Sequence, residues 1–187
     1  MDALFEAFIT NGSTENWAAL RAAHLNSPEF DACSDGLWKL GVLIERGHWT
    51  RAYEVLERLG QLGQKYLLSP RYYLYAWRIL DEVGMHEMAR YECNISHWML
   101  KVMLDSGDGS MKRPFLVTRE EDIVDIFHKH LKRKPATWSP FFLFDQESQR
   151  VSYQVTCTDG TVLYFETGIA QCHKCERRLC YRRPVLH

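Results

Sequence analysis

The sequence lacks long apolar runs and a basic leader. No window approaches the ~20 apolar residues that a membrane helix requires. The opening residues, Met-Asp-Ala-Leu-Phe-Glu, carry acids where a secretory signal carries Lys or Arg. We therefore expect a cytoplasmic protein that is neither exported nor inserted into a membrane.

An excess of charge of one sign is also missing, because the formal net charge is -1. Such a chain has no broad electrostatic field that would gather nucleic acid or anionic lipid. Four arginines make the end of the sequence locally basic: Arg177, Arg178, Arg182 and Arg183. They are a weak footprint for nucleic acid, so we do not expect a nucleic acid partner.

The cysteines do not form the framework of a small secreted protein. Cys33, Cys93 and Cys157 are spread through segments of regular pattern, whereas the other three crowd the end of the sequence. We interpret the thiols as reduced. Apolar residues are plentiful, since 46% of the sequence is hydrophobic and 13% is aromatic, which excludes global disorder.

Apolar residues recur at helical spacing in four successive segments. The segments begin and end at Leu37 and Gly47, Trp49 and Gly60, Tyr73 and Gly84, and Ala89 and Asp105. Glycine-containing turns separate the first from the second and the third from the fourth. This pattern predicts two antiparallel helical hairpins.

The two hairpins are repeats of one another. Aligning Gly47 with Gly84 places Ala52 on Ala89, with an offset of 84 - 47 = 37 residues. This pattern resembles the tetratricopeptide-repeat (TPR) family, in which a turn glycine is followed by an alanine that allows close helix packing and the period is ~34 residues. The consensus glycine of the first helix has no counterpart here, since Leu40 and Trp77 stand there.

The resemblance implies that the first helix of each pair lines a concave face that binds a protein or peptide. The positions that match this groove are Glu45, Arg46, Arg71, Arg78, Asp81 and Glu82. Their mixed signs argue against a clamp for a single terminal carboxylate, which favours clustered Lys, Arg and Asn. A solvated outer face explains these residues equally well.

An additional, degenerate hairpin is predicted before the repeats. Trp17, Leu20 and Leu25 can pack as its second helix, which Ser13 and Asn16 cap. We expect it to form the first hairpin of the stack.

The last third of the sequence has strand composition. Strand-like runs occur at 114–118, 141–145, 151–157 and 161–165, and Thr118 is placed to cap a helix from Arg119 to about Lys132. We therefore predict an α+β fold, with N-terminal TPR-like antiparallel hairpins and a small C-terminal antiparallel sheet with one helix. The predicted units are hairpins over 1–105, an α/β unit over 106–167 and a tail over 168–187.

Taken together, residues 35–167 resemble a family of bacterial proteins classed as a domain of unknown function. The resemblance rests on the TPR-like hairpins, the Ser106-Gly107-Asp108-Gly109 joint, the strand and helix, and the closing Asp-Gly-Thr-Val-Leu-Tyr-Phe strand. That family has no established activity. The resemblance therefore implies a fold without implying a reaction.

The tail contains the strongest metal-ligand pattern of the sequence. Its candidate ligands are Cys172, Cys175, Cys180 and His187, enough for a tetrahedral zinc site. Structural zinc sites usually pair two separated knuckles, and this tail has one. We therefore favour a basic tail with free thiols and no cofactor, with zinc as the alternative.

Other candidate groups are weaker. Cys93 and His97 are four residues apart on one helix, but Cys93 aligns with Leu56 and is interpreted as a buried structural cysteine. His128 and His130 point to different sides of their helix, so exposed positions are expected. The glycines of 106–110 are interpreted as a helix end and linker, because no Gly-Lys-Ser/Thr follows them.

The sequence therefore predicts a non-enzymatic module that binds a protein or peptide. The missing catalytic constellation and the repeat both favour this interpretation. The alternative is a metal- or thiol-dependent enzyme that uses the tail or a pocket where the helices meet the sheet.

Overall fold

A computed structural model describes residues 2–30, 36–61, 63–131, 133–136, 141–145 and 150–169. The helices are α1 Asp2–Thr10, α2 Thr14–Leu25, α3 Gly36–Glu45, α4 Trp49–Gln61, α5 Pro70–Glu82, α6 His86–Asp105 and α7 Glu120–Lys129. The strands are β1 Phe115–Leu116, β2 Phe141–Asp145, β3 Arg150–Thr156 and β4 Val162–Ile169. The predicted α+β class is confirmed, and none of the described helices is long and apolar enough to cross a membrane.

The two predicted hairpins are α3 with α4 and α5 with α6. In each hairpin, a turn of the same kind joins the two helices. Gly47 and Gly84 have φ angles of 67° and 85°, a region that favours glycine. The N–H of His48 donates to the Leu43 carbonyl at 2.9 Å, and the N–H of Met85 donates to the Leu80 carbonyl at 2.8 Å. Both are six-residue Schellman closures, so the repeat seen in the sequence is also a repeat of backbone geometry.

The aligned alanines lie where the helices approach most closely. Ala52 and Ala89 are 0% and 1% exposed, and both belong to the core that α3, α4 and α5 share. Ser96 is also buried, and its hydroxyl donates to the Pro70 carbonyl at 2.9 Å. This bond joins α6 to the start of α5.

The N-terminal hairpin of α1 and α2 lies elsewhere than predicted. Its buried Phe8, Trp17 and Leu20 join a core with α6, α7 and the sheet, rather than the core of α3 to α5. Arg21 of α2 reinforces this position, because its Nε and Nη2 donate to the Val117 and Glu166 carbonyls, each at 3.0 Å. Burial of these aromatic side chains against α6 thus overrides sequence order.

The cap of α2 is partly as predicted. The Ser13 hydroxyl accepts a hydrogen bond from the Asn16 N–H at 3.2 Å. The side-chain amide of Asn16 does not cap the helix but donates to the Asn11 and Ala7 carbonyls at 2.8 and 3.2 Å. It closes the α1–α2 turn.

The sheet is mixed, with strand order β1-β4-β3-β2. Strands β2, β3 and β4 pair antiparallel as predicted, but β1 pairs parallel with β4, so the prediction of a wholly antiparallel sheet was wrong in this strand. The reason is that α7 returns the chain to the starting end of the sheet between β1 and β2, so β1 and β2 run in the same direction. Strands β2 and β4 are both antiparallel to β3 and therefore also run in the same direction. As a result, β1 is parallel to β4.

The residue that caps the N-terminus of α7 differs from the one predicted. The predicted cap, Thr118, donates its hydroxyl to Asp122 Oδ2 at 2.6 Å instead of accepting from the helix. The same oxygen accepts from the N–H groups of Thr118 and Arg119, each at 2.9 Å. An acid in the first turn therefore reaches back to cap the helix, which ends at Lys129 instead of about Lys132.

Candidate binding surface

The first helices of the two hairpins, α3 and α5, approach each other at Gly41. A Cβ atom on Gly41 of α3 would lie 2.9 Å from the Tyr75 hydroxyl of α5, so glycine permits this approach. Burial raises the pKa of Tyr75, and its electrostatic neighbours are Arg71, Asp125, Glu45 and Arg78. Three of the six predicted groove residues are therefore brought together around one tyrosine.

Arg71 forms an ion pair with α7. Its Nη2 lies 2.8 Å from Asp125 Oδ1, its Nε lies 3.2 Å from both carboxylate oxygens, and Nη2 also donates to the Glu121 carbonyl. Burial alone lowers the pKa of Arg71, but the Asp125 carboxylate more than offsets this and raises it. Burial raises the pKa of Asp125, which Arg71 opposes. Arg71 thus holds α7 against the edge of the surface.

The other predicted groove residues are exposed. Glu45 and Arg78 flank Tyr75, and Glu82 follows Arg78 by four residues on the same face of α5. Arg46 lies just beyond the end of α3. Asp81 Oδ1 is 2.8 Å from His86 Nδ1, a contact across the α5–α6 turn.

Trp38 is a residue of this surface that the sequence analysis missed. It lies three residues before Gly41 and seven before Glu45, so all three share one face of α3. Its side chain is 70% exposed, the largest value among the exposed apolar residues that the structure describes. The i, i+3, i+7 spacing was the signal that could have identified it. We define the first-helix surface as Trp38, Glu45, Arg71, Tyr75 and Arg78.

The candidate thiol groups have structural surroundings. Cys93 is half-buried rather than fully buried as predicted, and its Sγ lies 3.5 Å from His97 Nδ1. That nitrogen also lies 2.8 Å from the Cys93 carbonyl, and burial raises the pKa of the Cys93 thiol. Burial likewise raises the pKa of Cys157. Neither thiol is therefore primed as a thiolate.

The predicted metal ligands Cys172, Cys175, Cys180 and His187 lie outside the described residues. Within the described ranges there is no group of three His, Cys, Asp or Glu side chains that could hold a metal ion. His128 and His130 are exposed, as expected.

A cleft lies between α1 and α6 in the part of the chain that the structure describes. Its volume is about 240 Å³, and its walls include Ile9, Gly12, Trp98, Lys101, Val102 and Asp105. This is smaller than the ~300 Å³ at which ligand pockets begin. A side chain from another protein fits such a space better than a cofactor does.

Glu92 is a half-buried acid with a measurable consequence for stability. Its Oε2 has no hydrogen-bond partner among the described residues, and burial raises its pKa from 4.5 to about 7. Between these pH values the folded protein holds a proton that the unfolded chain has released, so stability falls as pH rises through this window. Above pH ~7 the full cost is present.

We expect Glu92→Gln to raise the free energy of unfolding by about 1–2 kcal/mol near pH ~8 and to change it little near pH ~5. Urea unfolding at both pH values measures this difference. Glu6→Gln, at an exposed position of α1, is the control and should be neutral at both. An equal effect of Glu92→Gln at the two pH values would show that the carboxyl does not titrate abnormally.

No family model matches the sequence, no curated protein is similar to it, and no solved structure matches its fold. The likenesses to TPR hairpins and to the bacterial family remain resemblances of pattern. The first-helix surface is therefore the feature from which a function can be inferred.

Proposed function

We propose that this chain is a non-enzymatic module that binds a segment of a protein or peptide on its first-helix surface. The single observation that carries the proposal is Trp38, which is 70% exposed on the face of α3 that also carries Gly41 and Glu45. Tryptophan, tyrosine and arginine dominate the binding energy of protein interfaces. A tryptophan side chain this exposed offers a large apolar area that a partner can cover.

The charges indicate the chemistry of the partner. Glu45 and Arg78 both interact electrostatically with Tyr75, and neither has an ion-pair partner within the described residues. A segment with an apolar side chain flanked by one acid and one base would satisfy both charges and cover the indole. The mixed signs also explain why a single terminal carboxylate is a poor fit.

A rigid frame supports the surface. Gly41 leaves room for the Tyr75 hydroxyl between α3 and α5, and the Arg71–Asp125 ion pair holds α7 beside α5. A preorganised surface loses less entropy on binding than one that must order itself. Gly41 and Asp125 therefore contribute to affinity without touching the partner.

Trp38→Ala is expected to weaken binding at least ~10-fold, because it removes the central aromatic contact. The measurement is the affinity of peptides selected from a displayed random library on the wild-type protein, with Arg78→Glu as a second variant. Arg58→Ala is the matched control, since Arg58 is 70% exposed on α4. Peptides that bind all four proteins equally would place the binding site elsewhere and contradict the proposal.

A further inference from the structure

The outward face of α6 has the pattern of a helix that packs against another helix. Its exposed residues follow alternating steps of four and three: Glu87, Tyr91, Asn94, Trp98, Lys101 and Asp105. This is the spacing of a two-helix seam. The face points away from α5, because Ser96, which bonds to the Pro70 carbonyl, lies about 160° around the helix from Asn94.

Exposed apolar side chains concentrate in the segment that begins with the turn before α6 and includes Tyr91 and Trp98 of this face. Five of the nine large apolar residues that the described part of the chain leaves exposed fall between residues 83 and 98: Val83, Met85, Met88, Tyr91 and Trp98. Single exposed apolar residues are ordinary, but a group of this kind marks an interaction site. The cleft beside Trp98 continues the same region.

The charged residues of this face would be complementary to the same residues of a second copy. Glu87 lies seven residues before Asn94 and Lys101 lies seven residues after it, so each is ~10 Å from the centre along the helix. Neither forms an ion pair within the described residues. Two antiparallel copies of α6 that cross at Asn94 would place each Glu87 opposite the Lys101 of the other copy.

The same arrangement matches the remaining groups. Arg90 lies four residues before Asn94 and Trp98 four residues after it, so an antiparallel pair would bring each guanidinium to the same level along the helix axes as the indole of the other copy, where a cation–π contact can form. A parallel pair would instead set Glu87 against Glu87 and Lys101 against Lys101.

We propose that the chain forms a twofold-symmetric dimer through antiparallel packing of α6, with a second copy as the occupant of this face. Such an isologous contact uses one patch twice and closes on itself. It involves the second helix of the hairpin, so it leaves the first-helix surface free in both copies. A dimer with two such surfaces would bind a partner that carries repeated segments with avidity.

Sedimentation velocity over a concentration series that reaches hundreds of micromolar tests the proposal. We expect the mass to rise from the monomer value of 22.0 kDa to twice that value. Glu87→Lys and Lys101→Glu should each weaken dimerisation about 10-fold or more, because each replaces two attractive pairs with two repulsive ones. The combined swap should restore the wild-type dissociation constant.

Glu54→Lys is the matched control, because it makes the same charge change at a position of α4 that is 57% exposed. It should leave the dimer unchanged, as should Trp38→Ala, which affects only the first-helix surface. The proposal is overturned by a monomer at every concentration, by a dimer that the single reversals do not weaken, or by a combined swap that fails to restore it.

Discussion

Asp125→Ala is expected to lower the free energy of unfolding by about 3 kcal/mol, because it leaves a buried guanidinium without its partner. The side chains of Arg71 and Asp125 are 23% and 12% exposed, and their closest atoms are 2.8 Å apart. The pair joins α5 to α7 across 54 residues of sequence. Urea unfolding monitored by circular dichroism measures the loss.

Two further variants show whether the loss comes from the broken pair. Arg71→Met combined with Asp125→Leu should recover part of the stability, since an apolar pair leaves no buried charge. Glu54→Ala breaks the exposed Glu54–Arg58 contact at 3.7 Å and should cost less than ~0.5 kcal/mol. If Asp125→Ala costs no more than Glu54→Ala, this ion pair does not hold α7 in place.

Gly107→Ala is expected to destabilise the fold by about 3 kcal/mol or more, because the added methyl group meets backbone rather than a movable side chain. A Cβ atom there would lie 2.3 Å from the Pro114 carbonyl oxygen and 2.5 Å from that of Arg113. This loop turns the chain from α6 into β1, so relief of the clash would displace the first strand. Thermal and urea unfolding both report the effect.

Gly160→Ala separates this clash from backbone strain. Gly160 has a φ angle of 81°, but its Cβ would meet nothing within 4 Å. The expected cost is therefore only the ~1–2 kcal/mol of a left-handed non-glycine residue. A Gly107→Ala variant as stable as the wild type would show that the linker between α6 and β1 is not tightly packed.

Local signals predicted the helices of the two hairpins well. Apolar periodicity located α3 to α6, and Gly47 and Gly84 marked turns that require a positive φ angle. The 37-residue offset also placed Ala52 and Ala89 correctly in the close helix contacts. These features depend on interactions within one hairpin, which a short stretch of sequence specifies.

Long-range pairing was harder to predict. Strand β1 spans two residues, too few to show whether it pairs parallel or antiparallel. The place of α1 and α2 depends on Trp17 packing against residues distant in sequence. Arg71 could be assigned to a groove by its position on α5, but its partner Asp125 belongs to a helix that the repeat pattern does not include.

Only part of the first-helix surface was predicted from the sequence, again because long-range packing defines the rest. Repeat position identified Glu45 and Arg78, both of which interact electrostatically with Tyr75. Trp38 was overlooked because a tryptophan in an apolar helical pattern is usually a core residue. Its exposure follows from the direction of its face relative to α5, which only the packed hairpins define.

The proposed binding function is tested most directly by site-specific photo-cross-linking. A cross-linking amino acid at position 82, on the same face of α5 as Tyr75, should form an adduct with a defined partner in a lysate of the source organism. The adduct should disappear when Trp38→Ala is added, and the same cross-linker at position 54 of α4 should form none. Adducts that persist in the Trp38→Ala variant, or that form equally from position 54, would contradict a binding site on the first-helix surface.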